Sequence, residues 1–320
     1  MGISTSRFRR ALLGIRPEEA TFHRRGFHDG CPQTRRHLEA AGEAFLLGYA
    51  AALDCNHSGT LGTHLNAIQE EWSGFAFEGA AMALALLDAI TPWDRSRIRR
   101  FLEDHGERHV YMIHVGIGWA WARLRTRIPR ALRELDPVLG WLAVDGYGFH
   151  QGYFHWPRFV IHQERPRIAP EYARRAFDQG LGRSLWFIDC ADIPRIASRI
   201  GRFSEGRRED LWAGVGLASA YAGGARDEVY DRLREAAEPY TPAMAQGAAF
   251  AAEARLRAGN PTGHTELACR VLCRRSASSA AEITRRARDG LEPDADIPAF
   301  EVWRQRIQAR FCATSIGGVP

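Results

Sequence analysis

Four titratable residues of this chain stand in apolar or glycine-rich settings: Glu78, Asp145, His150 and Asp178. Glu78 lies in GFAFEGAAMALALL (74–87), a lone carboxylate among small and apolar neighbours. Burial there would raise its pKa. A carboxyl still protonated near neutral pH can donate a proton, as general acid catalysis requires. The densest cluster is VDGYGFHQGYFH (144–155), with Asp145, Tyr147, His150, Gln151, Tyr153 and His155. An imidazole titrates close to neutrality, so His150 is a candidate acid, base or ligand. A core histidine satisfied by a carbonyl is the structural alternative. FDQGLGRSLWF (177–187) sets Asp178, Gln179 and Arg183 around a Gly-x-Gly. Asp178 and Arg183 are expected to form an ion pair.

Proton movement beside aromatic side chains suits isomerisation or cyclisation of an unsaturated molecule, because aromatic faces stabilise a developing cation. The candidate binding residues are Trp119, Phe149, Tyr153, Gln179, Arg183, Trp186, Gln246 and Phe250. The expected ligand is an elongated apolar small molecule. The competing reading is a helical scaffold that binds a partner protein and does no chemistry. No cofactor and no metal is expected. His109 and His114 are five apart and share a helical face poorly, and no Cys pair has CxxC spacing.

The elements that would position these groups repeat. Gly-x-Gly/Ala begins at Gly48, Gly79, Gly116, Gly146, Gly180, Gly214 and Gly247, in steps of 31, 37, 30, 34, 34 and 33 residues. A period near 34 is the length of a two-helix unit. The predicted fold is all-α, with helical hairpins stacked as a superhelix or toroid around a cavity. Glycine disfavours helix interiors, so close helix approach must compensate. The fourth position after each first glycine is small in six copies and His150 in the other. The position before each glycine and the third after it share another face. That face carries Glu78/Met82, Val115/Trp119, Asp145/Phe149, Gln179/Arg183 and Gln246/Phe250. Equivalent positions in stacked repeats point the same way, so these residues are expected to converge on one cavity.

Residues 1–35 read as an irregular cap, 36–288 as the repeats, and 289–320 as a loop and closing helix, all in one structural domain. Turns are expected at Asn56–Gly62, Ser73–Gly74, Thr91–Pro92, Pro129, Asp136–Pro137, Pro157 and Gly259–Pro261. RFVIHQ (158–163) is the main candidate strand.

Composition narrows the classes. The 320 residues are 45% hydrophobic and 25% charged, which is ordinary globular usage. All 43 basic residues are arginine, and the net charge is +5. The basic clusters are scattered among Asp and Glu, whereas nucleic-acid binders collect them on one face. No nucleic acid is therefore expected as a partner. No run of 18 apolar residues would span a membrane. No secretory signal is visible, and the six cysteines read as reduced, mostly buried thiols, which together suggest the cytoplasm. GxSxG, GxxxxGK[ST], HExxH and a diphosphate-binding DDxxD run do not occur.

Stretches covering nearly the whole chain carry a resemblance. They include RGFHDG (25–30), GFAFEGAAMALALLDAI (74–90), HVYMIHVGIGWAWARL (109–124), LAVDGYGFHQGYF (142–154), GRREDLWAGVGLASAYAGG (206–224) and PAFEVWRQRI (298–307). Through them the chain resembles the actinobacterial domain-of-unknown-function family encoded beside enediyne polyketide synthases. The resemblance implies a role in bacterial specialised metabolism, acting on a long polyene made by the synthase. It assigns no catalytic residues.

Overall fold

A computed structural model describes residues 2–55, 58–91, 93–124, 126–292 and 296–312. The expected turns at Asn56 and Pro92 and the final residues 313–320 lie outside these. The described residues form sixteen α-helices and no strand. In chain order they are α1 (Gly2–Leu13), α2 (Phe22–Arg25), α3 (Pro32–Asp54), α4 (Ser58–Asn66), α5 (Glu70–Ile90), α6 (Arg97–Leu124), α7 (Ile128–Leu132) and α8 (Trp141–Trp156). Then follow α9 (Ala173–Ile188), α10 (Ile193–Gly201), α11 (Glu205–Ala222), α12 (Asp227–Ala236), α13 (Thr241–Ala258), α14 (Gly263–Ala268), α15 (Ala277–Arg286) and α16 (Ala299–Cys312).

All seven Gly-x-Gly/Ala motifs lie inside helices: α3, α5, α6, α8, α9, α11 and α13. Each of these helices packs chiefly on the next one along the chain. The glycines are the means. A methyl group added at Gly79, Gly116, Gly146, Gly180, Gly214 or Gly247 would sit 1.8–2.1 Å from a carbonyl oxygen of the motif helix before it. In five of the six cases that carbonyl belongs to the residue just before the neighbour's own first glycine: Glu78, Val115, Asp145, Gln179 and Ala213. The second glycines face forward. Gly118, Gly148, Gly182 and Gly216 would meet Ala143, Phe177, Leu211 and Met244 carbonyls of the next motif helix at 1.9–2.1 Å. Backbone therefore lies on backbone at every step, and the helical cost of glycine is offset by a contact no other residue permits. Tyr147 meets Phe177 and Tyr153 meets Phe187, so α8 and α9 run in the same direction.

Parallel neighbours need a return segment. Short helices such as α4, α7, α10 and α12 lie between motif helices, while α6 breaks at His109 (φ −118°, ψ 17°) ahead of its motif half. Polar groups tie elements distant in sequence. Arg255 of α13 donates to Glu71 O at the start of α5 (2.7 Å), and His37 of α3 meets Ala222 O at the end of α11 (2.8 Å). The closing helix α16 is anchored by Arg304, which is wholly buried and bonds Asp210 (2.7 Å), Gln246 (3.0 Å) and Glu301 (3.1 Å).

Several local expectations are corrected. Residues 1–35 are largely helical, with α1, a 3-10 turn at Pro17–Ala20 and α2, and α3 already begins at Pro32. RFVIHQ forms no strand: α8 ends at Trp156, just before Pro157, and Pro157–Ile161 follows as a π-helical turn. Ser73–Gly74 lies inside α5, where Gly74 makes room for the Tyr221 hydroxyl. Three cysteines are buried rather than most of them: Cys190, Cys269 and Cys273. Helix α5 is long and apolar enough by composition to cross a membrane, but 78% of its most apolar 18-residue stretch is buried inside the protein.

Candidate functional site

The face predicted to line a cavity does so in part. A void bounded by α3, α5, α6, α8 and α9 is lined by Glu78, Trp119, Phe149 and Tyr153, together with Phe45, Phe75, Phe154 and Phe187. Its volume is about 40 Å³. It is narrow and almost wholly apolar. Trp119 packs on two other lining rings, Phe45 at 4.7 Å and Phe149 at 5.0 Å between ring centroids.

Two carboxylates, Glu19 and Glu78, belong to its wall, and Glu78 is the buried one. It is 1% exposed, and neither carboxyl oxygen has a hydrogen-bond partner. Desolvation pushes its pKa from an ordinary 4.5 up to about 7; the Arg183 cation and the Trp119 N–H oppose this, and the Asp145 charge adds to it. One other buried glutamate among the described residues has both oxygens unbonded, Glu253, but Arg285 stands 3.6 Å from it. Glu78 has no such ion pair among the described residues. Tyr221 of α11 packs edge-on against Phe75 (5.2 Å), and its buried hydroxyl is also unpartnered.

The other candidates fall elsewhere. Asp145 is fully buried and accepts from Arg183 (2.6 Å) and Gln179 (2.9 Å). Arg183 also lies 4.5 Å over the Phe149 ring. Asp178 pairs with both guanidinium arms of Arg207, one at 2.8 Å, and not with Arg183 as the spacing suggested. These carboxylates are committed to structural ion pairs, so their expected role in proton transfer finds no support in the geometry. Trp186 is buried with its indole N–H on Gly223 O (2.9 Å), Gln246 accepts from Arg304, and Phe250 packs on Trp303 (4.5 Å). None of these three lines the cavity. His150 does not line it either; it opens on an adjoining cleft. Its ring lies 5.4 Å from Trp119, its Nδ1 is buried and unpartnered, and burial pushes its pKa down to about 3, aided by His155 and Arg123. It is a neutral imidazole.

Sequence reasoning missed Phe45, Phe75, Phe154 and Phe187. A signal existed: Phe75 and Phe187 are one further turn along the very face that carries Glu78 and Arg183. Glu19 and Ala20, from the supposed irregular cap, complete the wall. They carried no periodic signal.

Metal-ligand chemistry gathers at one place among the described residues: His37, Glu71 and His264 offer ligand atoms within 4.8 Å of one another. His264 Nδ1 lies 3.5 Å from Glu71, and both Nε2 atoms meet carbonyls at the end of α11, Ala222 O and Tyr221 O. The two imidazoles therefore cap orphan carbonyls of that helix.

A family model described as a protein of unknown function, DUF1702, matches residues 4–311. The chain belongs to that family. The match runs through every motif helix of the DUF1702 fold described above and through α16. No curated protein and no solved structure matches this DUF1702 chain.

One consequence for this DUF1702 protein is testable directly. Asp145→Asn would strand the buried Arg183 cation without its partner. Removing one member of a buried ion pair costs roughly 3–5 kcal/mol. A denaturation midpoint for this variant close to that of the parent would show that Arg183 is neutralised by some other group.

Proposed function

We propose that this protein is a metal-independent isomerase or cyclase of bacterial specialised metabolism, acting on an elongated unsaturated molecule of the polyene or polyketide type. The motif helices would wrap the substrate, with its chain against Trp119, Phe45 and Phe149. Glu78, protonated, gives its proton to an alkene carbon. The resulting cation lies against aromatic faces. The Glu78 carboxylate then recovers a proton from a neighbouring carbon, so the double bond has moved or a ring has closed and nothing else is consumed.

The observation that carries this reading is Glu78 itself. A buried carboxyl whose oxygens make no hydrogen bond of normal geometry is a cost to the fold, and this one lines an apolar void, with the Trp119 N–H beside it. The resemblance to the enediyne-cluster family supplies the substrate class. The narrowness of the void favours a second reading, a non-catalytic helical scaffold that binds a partner enzyme. Replacing Glu78 by Gln in the producing organism separates them. The catalytic reading expects product to disappear while circular dichroism stays helical. Product at the parental level in a folded Glu78→Gln variant would leave the scaffold.

A further inference from the structure

The adjoining cleft has a chemistry of its own. It is lined by Arg16, Arg24, Arg25 and Arg123 with Glu19, His150 and Phe154. Four arginines and a single carboxylate line it; Arg123 also donates to the Tyr49 hydroxyl (3.2 Å). Arg16 has no ion-pair partner among the described residues, and it is exposed, as are Arg24 and Arg123. His150 presents an unpartnered, buried Nδ1 to the same cleft. Two residues, Glu19 and Phe154, belong to the walls of both the cleft and the apolar void. Met82 lines the cleft one turn beyond Glu78 on α5, so the cleft and the carboxyl lie on neighbouring turns of one helix.

The partition between the two spaces is held by charge. Glu19 bonds Arg25 and, at 3.1 Å, Arg24; Arg25 in turn lies 4.9 Å over the Phe154 ring. The buried Arg25 Nε has no partner. An anion entering the cleft would compete with Glu19 for Arg24 and Arg25 and so loosen the contact that holds Phe154 across the void.

We infer that the ligand is an amphiphilic anion: a carboxylate or phosphate head held by Arg16, Arg24, Arg25 and Arg123, with an apolar chain passing Phe154 toward Glu78. This rests on the proposed apolar binding site and adds the head group that site lacks. Neutral polyenes would then be poor ligands, and the chain would be presented in one direction only, head outward.

Isothermal titration calorimetry with decanol, decanoate and decyl phosphate separates the two claims. Decanol tests the void alone. At low salt, both acids are expected to bind about tenfold more tightly than decanol, since exposed charge contacts contribute modestly each and here act together. That advantage should shrink as salt is raised. It should vanish in the double variant Arg16→Glu/Arg24→Glu while decanol still binds, which also shows that the variant is folded. Whichever acid gains more identifies the head group. Acids that bind no better than decanol, or an advantage indifferent to both salt and the variant, would overturn the anion site and leave the apolar one standing. Failure of all three ligands would remove both.

Discussion

Gly180→Ala is expected to destabilise the protein by about 3 kcal/mol or more, although alanine is the better helix former by roughly 1 kcal/mol. The added methyl would stand 1.8 Å from Asp145 O and 2.7 Å from Phe149 N, both backbone atoms of α8. No rotamer relieves such a clash. The helices must separate, and separation at one step disturbs the equivalent carbonyl contacts on either side. Gly206→Ala provides the contrast. Gly206 lies in the first turn of α11, and nothing stands within 4 Å of where its methyl would be. That change should leave stability unchanged or raise it by up to about 1 kcal/mol. Urea denaturation followed by circular dichroism reads both. Equal midpoints for the two variants would show that the glycines are not what sets the helix spacing.

The second large effect is on pH dependence. Burial raises the Glu78 pKa from 4.5 to about 7, so between those values the folded protein holds a proton that the unfolded chain has lost. The folded state binds more protons, and stability therefore falls as pH rises through that window. Above pH 7 both states are ionised and the whole penalty, about 3 kcal/mol, is present. Glu78→Gln has no such titration. Its stability relative to the parent should rise by about that amount between pH 4 and pH 8, whatever the fixed cost of a buried amide. A constant difference across this range would mean that Glu78 titrates normally.

Much of the architecture was legible because it rests on local rules. Glycine inside an apolar helical stretch has one common purpose, close approach, and each Gly-x-Gly/Ala serves it. The face holding Glu78, Trp119 and Phe149 followed from helical spacing alone. Partner choice did not. Asp178 is five residues from Arg183 but pairs with Arg207, and Arg183 reaches Asp145, 38 residues away. Such pairings depend on how neighbouring helices are offset, which no single helix encodes. The same holds for His37, Glu71 and His264, brought together from three distant segments. The first 35 residues seemed irregular because their turn residues outnumber their periodic ones. Yet they supply Glu19, Ala20 and three of the four arginines of the cleft.

The central claim is that Glu78 is a proton-bearing carboxyl at the wall of a void that accepts an apolar chain. Difference infrared spectroscopy, parent minus Glu78→Gln, isolates the carboxyl band of this one residue. The band of the protonated acid should persist to a midpoint near pH 7. Decanol should move that midpoint higher, because a hydrocarbon in the void further desolvates the charged form. A midpoint in the ordinary carboxylate range, or one that decanol leaves in place, would contradict the account.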